Sequence, residues 1–169
     1  MIRSKSFQYT WVPLPPRRTS IIPIQDDGIY DQPVAKIWRF IRDPQAPHVH
    51  AAIPSQKITG KDGNQVMYEG RIANFGSGGS HFEAWVMTMD PPNAYTLEYT
   101  EGPQVGSWFT NTYTPIGSAR TKVEVEGEFQ IRGLDEPRLR RFVLAFFAQA
   151  FNEDLVNLQH YEAPKIPGG

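Results

Sequence analysis

The stretch DEPRLRRFVLAFFAQAFNEDLVNLQHYE, residues 135–162, decides the fold. Wound at 100° per residue, it puts Leu139, Val143, Phe146, Phe147, Ala150, Phe151, Leu158 and Tyr161 on one broad side. Arg138, Arg141, Ala145, Ala148, Gln149, Asn152 and Gln159 fall on the other. The periodicity predicts one amphipathic helix, roughly 40 Å long at about 1.5 Å per residue. Asp135 is placed to cap it, Pro137 sits where a missing N–H costs nothing, and Pro164 and Pro167 follow its end. Arg138, Arg140 and Arg141 lie near the N-terminus, against the macrodipole, where Asp135 and Glu136 can neutralise them or an anion site could form. Asp154 falls near the middle of the apolar side. A carboxylate there must be solvated at a rim, hydrogen-bonded, or turned into a cavity.

Everything before this helix reads mainly as strand. Thr19 to Gln25 is a first strand, with Pro23 marking an edge or bulge, and Asp26-Asp27-Gly28 reads as a turn. Val34, Ile37, Trp38 and Ile41 follow helical spacing over Pro33 to Ile41, and Asp43-Pro44 ends that helix. Gln45 to Ala52 is expected to be a second short helix or a turn. Six strands follow: a short one from Gln56 to Thr59, one carrying Val66, Tyr68 and Ile72, then His81 to Met89, Tyr95 to Thr100, Gly106 to Thr114, and the stretch around Val123 to Ile131. In the last, Val123, Val125, Phe129 and Ile131 alternate with Lys122, Glu124, Glu126, Glu128 and Gln130, the pattern of an antiparallel sheet with one wet face. Hairpin-length turns between the strands predict a meander. The expected class is α+β: a curved antiparallel sheet of about seven strands around a long C-terminal helix, with two short helices after the first strand. Residues 1–18 are expected to be an arm, whose Phe7, Tyr9 and Trp11 suit packing on the domain or on a second copy in a homodimer. The domain spans 19–163 and a tail spans 164–169.

The totals exclude several function classes. With 169 residues, one domain with a sizeable core is expected. With 17 basic against 18 acidic residues the net charge is −1, so no nucleic-acid partner is expected. The absence of cysteine removes disulfides and thiolate chemistry. Met1 to Ser6 precede no apolar run, and no window approaches the ~20 apolar residues of a membrane span. A cytoplasmic location is expected.

Order and spacing give the chain a resemblance to the SRPBCC superfamily, the START and birch-pollen-allergen-like helix-grip proteins. The residues that carry it are Pro33-Val34-Ala35-Lys36-Ile37-Trp38 with Asp43-Pro44; Met89-Asp90-Pro91-Pro92 after a Trp-bearing strand; Tyr113-Thr114-Pro115 with Gly117 and Thr121-Lys122-Val123; and the aromatic terminal helix. The resemblance covers Thr19 to Glu162. It implies a deep, mostly apolar cavity between sheet and helix that takes lipids, sterols, polyketides or other aromatic molecules, with no shared catalytic set. The turn Gly76-Ser77-Gly78-Gly79 comes one hairpin later than the allergens' glycine-rich loop and is not equated with it.

The aromatic residues carry the strongest functional signal. Tyr68, Trp85, Tyr99, Trp108 and Tyr113 lie on neighbouring predicted strands, and Phe142, Phe146 and Phe147 face them from the helix. They are either a filled core or the wall of a pocket for an apolar small molecule, with Asp154 a further candidate contact. Both phases of the Trp85 and Trp108 strands contain apolar residues, so their facing is open. His48 and His50, with His81, have no third ligand fixed by spacing, so neither metal nor cofactor is expected. Ser80, His81 and Asp154 lack a nucleophile-elbow sequence. Three readings follow: a binding protein for an apolar small molecule, a polyketide cyclase or dehydrase acting on one, or an interaction module whose helix fills the sheet.

Overall fold

The computed structural model describes residues 19–46, 48, 50–74 and 78–162. The order of elements is β1 (Ile22–Tyr30), α1 (Val34–Arg42), β2 (Ser55–Asp62), β3 (Gln65–Ala73), β4 (Ser80–Asp90), β5 (Ala94–Glu101), β6 (Trp108–Ile116), β7 (Arg120–Phe129) and α2 (Glu136–His160). The strands form one seven-stranded sheet in the order β1-β7-β6-β5-β4-β3-β2, antiparallel throughout. Strands β2 to β7 are the predicted meander, and β1 adds to its far edge.

The last strand shows why the sheet has two chemically different faces. Thr121, Val123, Val125, Gly127 and Phe129 of β7 are buried, while Glu124, Glu126 and Glu128 between them are exposed. Period two puts every second side chain on the helix side.

Two expectations for the first third of the chain are corrected. The predicted turn Asp26-Asp27-Gly28 is strand: Asp26 pairs with Val125, Asp27 with Glu124 and Gly28 with Val123. An edge strand tolerates the two carboxylates because they reach water. Gly28 is needed for a different reason. A Cβ there would stand 2.5 Å from the Phe151 ring, so its absence lets α2 close onto β1. The second short helix does not form. After α1 the described residues make turns and a bridge between His50 and Ile53. Pro44 and Pro47 withhold two backbone donors that a helix would use. The arm at 1–18 and the tail at 164–169 lie outside the described residues.

Helix α2 starts as its sequence requires: the Asp135 side chain accepts a hydrogen bond from the Arg138 N–H at 3.0 Å. Arg138 and Arg140 are paired with Asp135 and Glu136 at 3.7 and 3.4 Å, so acids of the first turn neutralise them. The helix is anchored in two separate cores. Its N-terminal half puts Leu139, Phe142 and Val143 among Ile22, Ile24, Phe129 and Ile131. Its C-terminal end puts Leu158 and Tyr161 among Tyr30, Ile37, Trp38 and Phe40. Tyr161 donates its hydroxyl to Asp43 at 3.0 Å, tying the end of α2 to the end of α1. Trp38 in turn donates its ring N–H to the Pro92 carbonyl at 2.5 Å. Fully burying each such large side chain contributes about 1.5–3 kcal/mol.

Candidate functional site

Between those two anchors α2 bridges open space. A cavity of about 730 Å³ lies beneath it, within the range of small-molecule sites. Phe146, Phe147, Ala150, Phe151 and Asp154 roof it from the helix. Its floor comes from one phase of each strand from β3 to β7: Val66, Tyr68 and Ile72 of β3; Trp85, Met87 and Met89 of β4; Tyr95, Leu97 and Tyr99 of β5; Phe109, Asn111 and Tyr113 of β6; Val123 and Val125 of β7. Residues of both phases of β1 and β2 line its edges. The rings brace one another. Tyr68 stacks on Trp85 at 5.8 Å, Phe109 meets Phe147 edge-on at 5.1 Å, and Tyr30 stacks on Phe151 at 4.9 Å.

Seven of the nine residues singled out from the sequence line this cavity: Tyr68, Trp85, Tyr99, Tyr113, Phe146, Phe147 and Asp154. Trp108 does not. It opposes Glu98 and Glu128 on its neighbouring strands and points away, because Phe109, Asn111 and Tyr113 hold the inward phase of β6. Phe142 does not either. It is buried in the core around Leu139, one turn before the cavity begins. Tyr30, Tyr95 and Asn111 also line the space and were not singled out; His50, weighed from the sequence only as a metal ligand, lines it too. Tyr95 and Asn111 share phase with Tyr99 and Tyr113, which is the signal that could have found them. Tyr30 was hidden by the turn expected at Asp26 to Gly28. No spacing links His50 to a helix a hundred residues later.

The polar groups gather at the end of the cavity near α1, around Asp154. Its carboxylate is 3.5 Å from His50 Nε2, and the Tyr30 hydroxyl lies within hydrogen-bonding reach. Burial raises its pKa to about 6, against the opposing pull of His50 and helped by the neighbouring Glu153 charge. The Tyr95 hydroxyl accepts a hydrogen bond from the Asn111 amide at 2.6 Å and lies within reach of the Tyr113 hydroxyl. Burial pushes the pKa values of Tyr30, Tyr95 and Tyr113 well up, so these phenols stay protonated. Glu153 faces His50 Nδ1 at 3.1 Å and accepts from the Ala51 N–H at 3.2 Å, pinning the loop after α1 against α2. His48 contacts the Asp43 carbonyl at 2.9 Å, and burial lowers its pKa. Among the described residues no group of three or more His, Asp or Glu side chains is placed to hold a metal ion.

A second buried cluster lies at the other end of the sheet. Glu83 is fully buried; its Oε1 accepts from the Gln104 N–H at 3.0 Å and faces His81 Nε2 at 3.0 Å. His81 Nδ1 faces the Asn74 carbonyl oxygen at 2.7 Å, and the Asn74 amide donates to the Gly78 carbonyl at 3.0 Å. With Asn74 so oriented, Nδ1 must donate, and a second proton is held between Glu83 and His81. Burial raises the Glu83 pKa to about 7 and lowers that of His81.

Comparison with known proteins agrees with this architecture. The aromatase/cyclase Zhui from Streptomyces sp. R1128 superposes with a TM-score of 0.66 at 10% identity, over 82% of this chain and 92% of that one. TTHA0849 from Thermus thermophilus gives 0.62 at 15% identity, over 82% and 94%. Ara h 8.0201 gives 0.63 at 14% identity, over 84% and 100%. At these identities the likeness is one of fold. No curated protein sequence matches the chain. Residues 30–161 match the model of the family described as polyketide cyclase / dehydrase and lipid transport, and with most of its length matched the chain belongs to that helix-grip family.

Proposed function

We propose that the chain binds an apolar, ring-bearing small molecule in the cavity beneath α2. The observation that carries this reading is a space of about 730 Å³ under a helix that is close-packed at both ends. A fold that needed only a core would fill that space. Native mass spectrometry of the purified protein tests it. A retained apolar molecule, or stoichiometric uptake of a fatty-acid or polycyclic aromatic probe, is expected. A protein that carries nothing and takes up none of the probes contradicts it.

One observation favours a second reading, acid–base catalysis of the cyclase or dehydrase type. Asp154 and His50 both face the cavity, and a carboxyl of pKa about 6 can give and take protons near neutrality. The wall would fold a flexible poly-β-ketone by shape, and Asp154 would move its proton. Turnover of a linear poly-β-ketone that disappears in Asp154→Asn supports this. Equal turnover in both proteins removes it. The interaction module with a filled sheet is not favoured by any feature of the cavity.

A further inference from the structure

We infer that the ligand carries a protonated amine and places it against Asp154; this rests on the binding reading above and names its ligand class. Asp154 is a half-buried carboxylate on the roof of an aromatic-walled space whose other charged lining residues, Asp26, Asp27, Arg42, Lys57 and Lys61, are exposed. Among the described residues its one paired nitrogen is His50, at 3.5 Å. That ring is closer, at 3.1 Å, to Glu153, so one histidine stands between two carboxylates. Desolvating an ionised carboxylate without a full counter-charge is costly. The other polar groups facing Asp154 across the cavity are the hydroxyls of Tyr30, Tyr95 and Tyr113.

The site therefore offers one carboxylate and the oxygens of three protonated phenols, of which Tyr30 is placed to donate to Asp154. An alkylammonium has three N–H donors to spread over a carboxylate and hydroxyl oxygens, and its charge offsets the desolvation. A neutral hydroxyl has one donor and leaves the charge unmatched. The rings of Tyr30 and Phe151, stacked beside Asp154, and the apolar floor beyond would take the carbon skeleton. The class is thus a primary or secondary amine on an apolar aromatic frame.

Isothermal titration calorimetry with two isosteric probes, 2-(2-naphthyl)ethylamine and 2-(2-naphthyl)ethanol, tests this, with Nile red titrated into the parent protein as a neutral reporter of the cavity. At pH 8 the amine is expected to bind at least about tenfold tighter than the alcohol. Asp154→Asn is expected to bring the two within about twofold. Should that variant misfold, pH serves in the parent protein. The groups facing Asp154 are Tyr30 of β1, Tyr95 of β5, Tyr113 of β6, His50 of the loop after α1, and Glu153 on its own helix. As pH falls from 8 to 5, Asp154 takes up its proton, so the amine weakens about tenfold while the alcohol holds. Nile red binding with no preference for the amine overturns the inference and leaves the binding reading intact. A preference that survives both Asp154→Asn and low pH overturns it too. Failure of all three probes removes the binding reading and the inference with it.

Discussion

Glu83 shows how much a single buried residue can weigh in this protein. Its folded pKa of about 7 lies above the 4.5 of an ordinary glutamate, so the fold holds its proton more tightly than the unfolded chain does. Stability from this group is therefore full below about pH 4.5 and is lost as pH rises towards 7. Glu83→Gln loses the shared proton with His81 but cannot ionise. Relative to the parent it is expected to gain about 2–3 kcal/mol between pH 4.5 and 7, and to change little beyond that window. Urea denaturation across the range measures it; a constant difference would show that the carboxyl titrates as an exposed one does. His81, lowered by burial, pulls the parent's own profile the other way, losing stability as pH falls below 6.5. This cluster was not legible in the sequence. Glu83 sits in a strand with apolar residues in both phases, and its partner Gln104 comes from the loop after the next strand, β5.

Helix α2 is not uniform along its length. Its two ends are close-packed and its middle spans a void, so aromatic rings along one face are not equivalent. Phe129→Ala, opposite the helix in the first core, should cost about 3–5 kcal/mol. Phe146→Ala, whose half-buried ring faces the cavity, should cost about 1–2 kcal/mol, because the ring leaves space that is already open. Equal losses would mean that the ring is packed on all sides. Gly28→Ala tests the contact of α2 with β1. The added methyl meets the Phe151 ring, which must move, and a loss of about 1–3 kcal/mol is expected in thermal unfolding. A neutral effect would mean that α2 stands further from the sheet. The helix itself was legible down to its Asp135 cap, since period, cap and prolines agree. Which of its aromatic residues roof a cavity and which fill a core was not, because Phe142 and Phe146 differ by one turn and not by chemistry.

At the scale of the molecule, a seven-stranded sheet and one long helix were readable because alternation and hairpin-length turns fix strand neighbours in order. The first strand was misread at Asp26 to Gly28, where composition signals a turn and tertiary pairing with β7 overrides it. The cavity was legible as a set of inward aromatic residues, and its emptiness was not: volume depends on the distance at which the two cores hold the helix, which no local pattern encodes. The most direct measurement is a titration of Nile red into the parent protein and into Ala150→Trp, whose indole would occupy the space beneath α2. Saturable one-to-one binding with blue-shifted emission in the parent, lost in a variant that still unfolds cooperatively, is the predicted result. No saturable signal in the parent, or undiminished binding in the variant, would contradict a helix that spans an open cavity.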